Sequence, residues 1–212
     1  MPQPNTLPED AVRRALERYS LAATAEQIEQ ISAYISLLLV WNEKVNITSI
    51  RDPREILYRH FCESMLARTV VPMEKGRLAD VGSGGGFPGL PLKIISPDLE
   101  VLLIESNTKK ATFLAEVVRE LGLMGVRVMV RPYEELGEEI APVDFVCTRA
   151  LGDFDQLLSW ATSRQLAVKS VVLWVGGADI LKLSHQAGWT WREPVPVPDS
   201  LRRFILVGDR AT

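Results

Sequence analysis

Between Asp80 and Gly89 the chain reads DVGSGGGFPG, an acid followed by Gly82, Gly84, Gly85, Gly86 and Gly89, with Pro88 where a helix can begin. Glycine tolerates positive φ and lets a backbone approach a ligand closely, so such a loop can offer N–H groups to a bound nucleotide. Further chemistry-bearing residues recur beyond it. Glu105 lies about twenty residues after the loop, the spacing at which an acid accepts hydrogen bonds from both hydroxyls of a ribose. Tyr133-Glu134-Glu135 can flank a flat ring and meet its amino group, or can be the solvated first turn of a helix. Arg149, in Thr148-Arg149-Ala150, has no acid close in sequence to pair with and is read as facing a pocket.

Two ligands fit the loop. Gly84, Gly86 and Gly89 match G-x-G-x-x-G, the fingerprint that cradles the pyrophosphate of a dinucleotide. Asp80, Gly82, Gly84 and Gly86 match D-x-G-x-G-x-G, typical of enzymes that use S-adenosylmethionine (AdoMet). Asp80 favours the second reading, because a carboxylate can hold the cationic amino-acid end of AdoMet but would repel a pyrophosphate. Glu105 serves either ligand. A tight turn with no ligand remains the plain alternative for glycines alone.

These residues need elements to hold them. Thr24 and Gln27 form a capping-box pattern ahead of Ile28, Ile31, Ile35, Leu38 and Leu39 at helical spacing. Asp52-Pro53-Arg54-Glu55 is a second helix start, followed by Leu57, Phe61 and Met65 on one stripe. A short helix is predicted over Glu9 to Tyr19. From residue 77 the pattern alternates: strands Leu78–Val81, Glu100–Ile104, Val126–Arg131, Phe145–Thr148 and Val171–Val175, with helices Pro88–Ile95, Lys109–Leu121 and Leu157–Leu166 among them. Trp189–Arg192 and Phe204–Val207 are predicted as the last strands, separated by the EPVPVPDS loop. Alternation of this kind predicts an α/β fold, a mostly parallel sheet with helices on both faces, and ligands at the carboxyl ends of its strands. Residues 1–72 are then an N-terminal helical cap and 73–212 the ligand-binding core.

Composition narrows the function classes. The 212 residues are 47% hydrophobic and 24% charged, as in an ordinary globular protein. With a net charge of −3 the whole molecule does not attract nucleic acid, so any RNA contact needs a local basic patch. Cys62 and Cys147 have no metal-ligand spacing, and with His60 and His185 the only histidines no metal centre is expected. The polar, proline-rich start MPQPNTLPED and the lack of a long apolar run predict a cytoplasmic protein without a membrane span. Cys147 lies in an apolar run and reads as a packed hydrophobe rather than a nucleophile. The end of the fourth strand lacks an Asn/Asp-Pro-Pro-aromatic segment, which argues against methylation of an exocyclic amine. No nicotinamide-type catalytic pair stands out.

The segment Trp41–Ser64, WNEKVNITSIRDPREILYRHFCES, together with DVGSGGGFPG, resembles the ribosomal RNA small subunit methyltransferase G family, also called glucose-inhibited division protein B. The similarity runs from about residue 25 to 155 and returns weakly near the carboxyl end. It implies a Rossmann-like AdoMet-dependent enzyme that methylates N7 of one guanosine in a hairpin loop of bacterial 16S rRNA, acting as a monomer on rRNA or the small subunit. Matched position by position, the family's cofactor contacts fall on Gly82, Phe87, Tyr133, Glu134 and Arg149, with its acid after the second strand at Glu105; Asp80 and Gly84 complete the expected cofactor set. No general base is expected, since guanine N7 has a lone pair and no proton. Lys44, Asn46, Thr48, Arg51, Arg54, Arg59 and His60 are expected to form the RNA-facing edge, although Arg59 and His60 can equally serve as buttresses between the two parts of the chain.

Two departures stand out. Many relatives carry Lys-Gly after the fifth strand where this chain has Val175-Gly176, and Glu63 replaces the usual Asp before Ser64. The lost lysine leaves open a non-catalytic AdoMet-binding factor of ribosome assembly; a nicotinamide-dependent oxidoreductase is the remaining, weaker alternative.

Overall fold

Short apolar runs generate the strands. In the computed structural model, which describes residues 7–137, 139–149, 152–163 and 166–211, five parallel strands form first: β1 (Lys75–Val81), β2 (Asp98–Ile104), β3 (Val126–Met129), β4 (Phe145–Arg149) and β5 (Ser170–Gly176). β6 (Trp189–Trp191), β7 (Val195–Pro196) and β8 (Arg203–Arg210) complete the sheet in the order β3-β2-β1-β4-β5-β8-β6, with β7 also on β8. β8 runs antiparallel to β5 and pairs Arg203 with Gly176. The expected last strands are both present, while the EPVPVPDS loop differs from expectation by contributing β7.

Alternate residues along each strand enter different cores, as the two-residue repeat of a strand requires. Leu78, Leu103, Cys147 and Val172 join one hydrophobic cluster; Ala79, Ile104, Val146 and Val171 join the other. The first face is covered by α1 (Glu9–Arg18), α2 (Ala25–Asn42), the helical segment 53–69, α5 (Gly89–Ile95) and α6 (Thr108–Glu120); the second packs against α7 (Phe154–Ala161) and α8 (Gly177–Leu183). Residues of the N-terminal helices, among them Ile31, Tyr34 and Ile35, therefore share a core with Phe87, Phe113 and Leu114.

The helix starts follow their local chemistry. Thr24 and Gln27 form the reciprocal capping box. Asp52 accepts from the Glu55 amide at 2.8 Å, starting a segment that runs through α3 (Pro53–Ile56), a π-helical stretch Leu57–Cys62, α4 (Glu63–Met65) and a 3-10 turn Leu66–Thr69. Leu57, Phe61 and Met65 are all buried along it. The π stretch carried no sequence signal, and π insertions occur often at functional sites. Asp153 caps α7 earlier than expected, accepting from the Gln156 amide at 3.0 Å. Arg164 and Gln165 in the expected end of that helix, Ala150 after β4, and the first six residues of the chain lie outside the described residues.

Candidate cofactor site and substrate edge

At the sheet's switch point β1 and β4 are neighbours while the chain order diverges on either side, which opens a crevice beyond their carboxyl ends. The glycine loop leaves β1 into this crevice. Its turn is tightly determined: Gly86 has φ +85°, and a Cβ there would meet the Tyr34 hydroxyl at 2.2 Å. Tyr34 donates to the Gly85 carbonyl at 2.5 Å and fixes the loop from α2.

Most amides of the loop are satisfied from within. Gly82 and Ser83 donate to the Ile104 carbonyl, Gly86 and Phe87 to the Ser83 carbonyl, and Leu90 to the Gly86 carbonyl. Gly84 donates to Glu105 Oε2 at 2.8 Å and Gly89 to Asp80 Oδ2 at 2.9 Å. The N–H groups expected to face a ligand are thus mostly engaged, by carbonyls of the loop itself, by the Ile104 carbonyl and by the Asp80 and Glu105 carboxylates. That arrangement does not suit a pyrophosphate, which needs free N–H groups at a helix start.

Asp80 is likewise corrected. It was expected to hold a ligand's cationic end, yet it has no accessible surface and lies beneath the loop, accepting from the Gly89 amide and from Cys147 Sγ at 3.7 Å. Burial pushes its pKa up to about 7, against the pull of those hydrogen bonds. A Cβ on Gly89 would stand 2.7 Å from Asp80 Oδ2, so glycine is what allows the acid to reach the helix start.

Glu105, ending the β2 side of the crevice, bridges the Gly84 and Asn107 amides at 2.8 Å each. Each carboxylate oxygen keeps a second lone pair for a hydroxyl donor. Tyr133 and Glu134 sit in a 3-10 turn Tyr133–Glu135 after β3, with Glu134 exposed and the Tyr133 ring edge-on to Trp160 at 5.4 Å. Burial, then the charge of Glu134, raises the Tyr133 hydroxyl pKa to about 12, so it stays a neutral donor. Phe87 is buried with its ring between Tyr34 (5.6 Å) and His60 (4.5 Å).

Arg149 ends β4 and is not unpaired, as its sequence neighbourhood suggested. Nη1 donates to the Arg59 carbonyl at 2.5 Å and Nη2 lies 3.4 Å from Glu63. Glu63 is almost fully buried and also binds Arg203 at 2.9 Å. Burial raises the Glu63 pKa while Arg149 and Arg203 oppose it. Thr148 donates to the Val81 carbonyl at 2.8 Å, tying the end of β4 to the point where the glycine loop begins.

Among the residues expected at an RNA edge, Lys44, Asn46, Arg51 and Arg54 are exposed, and Thr48, Arg59 and His60 are half-buried. The hairpin-like loop after α2 is shaped by buried Asn42, which accepts from the Ile47 and Thr48 amides and donates to the Thr48 carbonyl at 2.8 Å. Arg51 donates to the Asn42 carbonyl at 3.0 Å. His60 contacts the Thr48 hydroxyl at 2.8 Å and stacks on Phe87. Burial, then Arg149 and Arg59, lower its pKa to about 3. His60 thus stands neutral between the Asn42 loop and the glycine loop, in the position of a buttress.

The family description that matches residues 27–184 reads "rRNA small subunit methyltransferase G". This chain belongs to that family. Curated members named ribosomal RNA small subunit methyltransferase G include one from Pseudomonas paraeruginosa, 36% identical over 170 residues, covering 76% of this chain and 78% of the relative. One from Desulfitobacterium hafniense is 39% identical over 152 residues, covering 70% and 63%, and one from Xylella fastidiosa is 46% identical over 127 residues, covering 60% and 58%. The matched stretch thus spans less than two thirds of the length of the latter two relatives. Among solved structures, a SAM-dependent methyltransferase from Aquifex aeolicus superposes with TM-score 0.60 at 18% identity over 78% of this chain and 97% of that one, and the 23S rRNA methyltransferase ErmE with TM-score 0.53 at 15% identity over 71% and 67%. These likenesses show the shared α/β fold.

The donor set of this methyltransferase G family member fits a nucleoside whose tail is not a phosphate. It presents a carboxylate with lone pairs left to accept hydroxyl donors, beside a loop whose amides are mostly engaged. Tyr34, Asn42 and Thr148 support the site, Trp174 and Arg203 meet Glu63 beside it, and none was singled out for it from sequence. Tyr34 sits beside Ile35 within the apolar stripe of α2, where an aromatic hydroxyl signals a buried partner; nothing local announced the others.

Proposed function

We propose that this chain transfers a methyl group from AdoMet to N7 of a guanosine in a loop of 16S rRNA, in the cytoplasm. The observation that carries the reading is the Glu105 carboxylate hydrogen-bonded to the Gly84 amide at the switch point of a chain of this family. Glu105 would hold the ribose diol, Gly82 and Gly84 would border the tail, and Tyr133 and Glu134 would flank the adenine. When bound, the cofactor supplies an electrophilic methyl group on a sulfonium. Guanine N7 carries an in-plane lone pair and no proton, so the residues around the crevice need only position the base. That requirement agrees with the chemistry present: Asp80 and Cys147 are fully buried and His60 is held neutral. Alignment of donor and acceptor contributes on the order of 7–11 kcal/mol in well-oriented reactions. An A-form duplex hides N7 in a deep, narrow groove, so the target must lie in a loop or be turned out.

The test incubates purified protein and methyl-labelled AdoMet with 16S rRNA, and separately with small subunits, lacking the modification, and maps label by cleavage at N7-methylguanine. Label at a single loop guanosine is expected. AdoMet binding without transfer to either substrate would overturn the catalytic assignment and favour a non-catalytic assembly factor.

A further inference from the structure

Beyond the cofactor crevice, at the carboxyl ends of β4 and β5, lies a second open pocket of about 290 Å³. Three guanidiniums meet there from three distant segments: Arg59 from the π-helical stretch, Arg149 from the end of β4 and Arg203 from the start of β8. Strand pairing places them, since Arg149 lies opposite Trp174 and Arg203 opposite Gly176. Glu63 is the one carboxylate lining the pocket among the described residues, and both Arg149 and Arg203 pair with it. Arg59 has the exposed Glu55 at 3.3 Å, and the Asp179 carboxylate approaches Gly176 at the rim. Exposed pairs of that kind are worth little, so positive charge remains in excess around the buried Glu63.

The walls are Trp174, Val175 and Phe204. Trp174 donates through Nε1 to the Glu63 carbonyl at 2.8 Å, which locks the backbone that carries the carboxylate. Apolar walls lower the local dielectric and strengthen both the mutual repulsion of the guanidiniums and their attraction for an incoming anion. The Nε groups of Arg59 and Arg203 are buried without a hydrogen-bond partner among the described residues. The cluster is thus incomplete in charge as well as in hydrogen bonding. A phosphodiester is the group that matches it, singly negative and able to accept forked N–H pairs from arginine.

We propose that this pocket is a phosphodiester subsite for the RNA substrate, with Arg203 and Arg59 as its binding residues and Glu63 as the positioning carboxylate that aligns Arg203 against Arg149. The RNA source of the phosphate rests on the function proposed above. A base turned out of its stack toward the β1/β4 crevice needs its flanking backbone held, and the pocket lies one strand away from that crevice. The cations at the mouth come from β8 and the π-helical stretch.

Binding of a 16S rRNA fragment transcribed in vitro is measured across a salt series for wild type, Arg203→Gln, Arg203→Lys, Arg59→Gln and, as a distant control, Arg119→Gln. AdoMet affinity and the thermal midpoint are followed in parallel, with thermal shifts also taken in inorganic phosphate. Arg203→Gln and Arg59→Gln are expected to weaken RNA binding about fivefold or more and to make the log–log salt slope less negative by about 0.7 each. Arg203→Lys keeps the charge and loses the fork, so it should keep the wild-type salt slope with an affinity between those of wild type and Arg203→Gln. Arg119→Gln should match wild type, and AdoMet affinity should hold in all. Wild-type RNA affinity and slope in folded Arg203→Gln and Arg59→Gln would overturn the subsite. If Arg203→Gln does not fold, Arg59→Gln decides alone. A wild type that binds AdoMet but no RNA would instead sink the proposed function and the RNA source with it. Phosphate stabilisation lost in Arg203→Gln would then leave a site for free phosphate, and no such stabilisation would remove the site altogether.

Discussion

Two carboxylates at the crevice, Asp80 and Glu105, look alike in sequence and do different work. Glu105 bridges two amides at the lip of the loop, whereas Asp80 is sealed beneath it. Replacing Glu105 by Gln keeps the shape and removes the charge, and hydrogen bonds to charged groups contribute about 1.5–3 kcal/mol. Calorimetry should therefore show AdoMet binding weakened by roughly 10- to 100-fold, with a lowered melting temperature because the Gln Nε2 cannot accept from the second backbone amide; unchanged affinity would remove Glu105 from the ribose contact. Asp80 titrates at about 7 in the fold and near the ordinary aspartate value of about 4 when unfolded. Its folded pKa is raised, so the native state holds the extra proton more tightly. The resulting stability is fully present below about pH 4 and is lost as pH rises through about 7. Asp80→Asn can still accept from the Gly89 amide but cannot charge. Melting curves should show wild type losing stability relative to Asp80→Asn between about pH 4 and about pH 7, and parallel pH profiles would contradict the buried assignment.

Among the elements, the segment 53–69 joins the loop after α2 to the glycine loop through His60. Its start was legible from Asp52-Pro53, because a cap needs only an acid three residues from the amide it satisfies. Asp52→Ala should cost about 1 kcal/mol by denaturant unfolding. The loop before it was less legible. Asn42 reads as one more polar residue at a helix end, yet it is buried and orders residues 47 and 48 through three hydrogen bonds. Asn42→Ala leaves the Ile47 amide and the Thr48 carbonyl without that partner. It should destabilise the protein by about 1–3 kcal/mol and lower methyl transfer while AdoMet affinity is retained. Transfer at the wild-type rate would show that the order of this loop is immaterial to substrate binding.

At the scale of the whole molecule, the proposed function requires a net charge of −3 to coexist with RNA binding, which makes the attraction local. Arg54 is exposed and Arg51 holds the Asn42 carbonyl with part of its guanidinium. Reversing both to Glu should weaken rRNA binding and make its salt slope less negative by roughly one to two units; an unchanged slope would exclude this edge as an RNA contact. The sequence by itself determined the parallel strands, the capped helices, the glycine turn and the acid after β2, since each rests on residues within a turn or a strand of one another. Tertiary structure alone decided that Arg149 and Arg203 share Glu63, that His60 is neutral behind Phe87, and that Asp80 supports the loop from below. Those outcomes depend on burial and on partners more than 80 residues apart in the Arg149–Glu63 pair. Desolvation of a charge is set by what packs over it, and no local pattern encodes that.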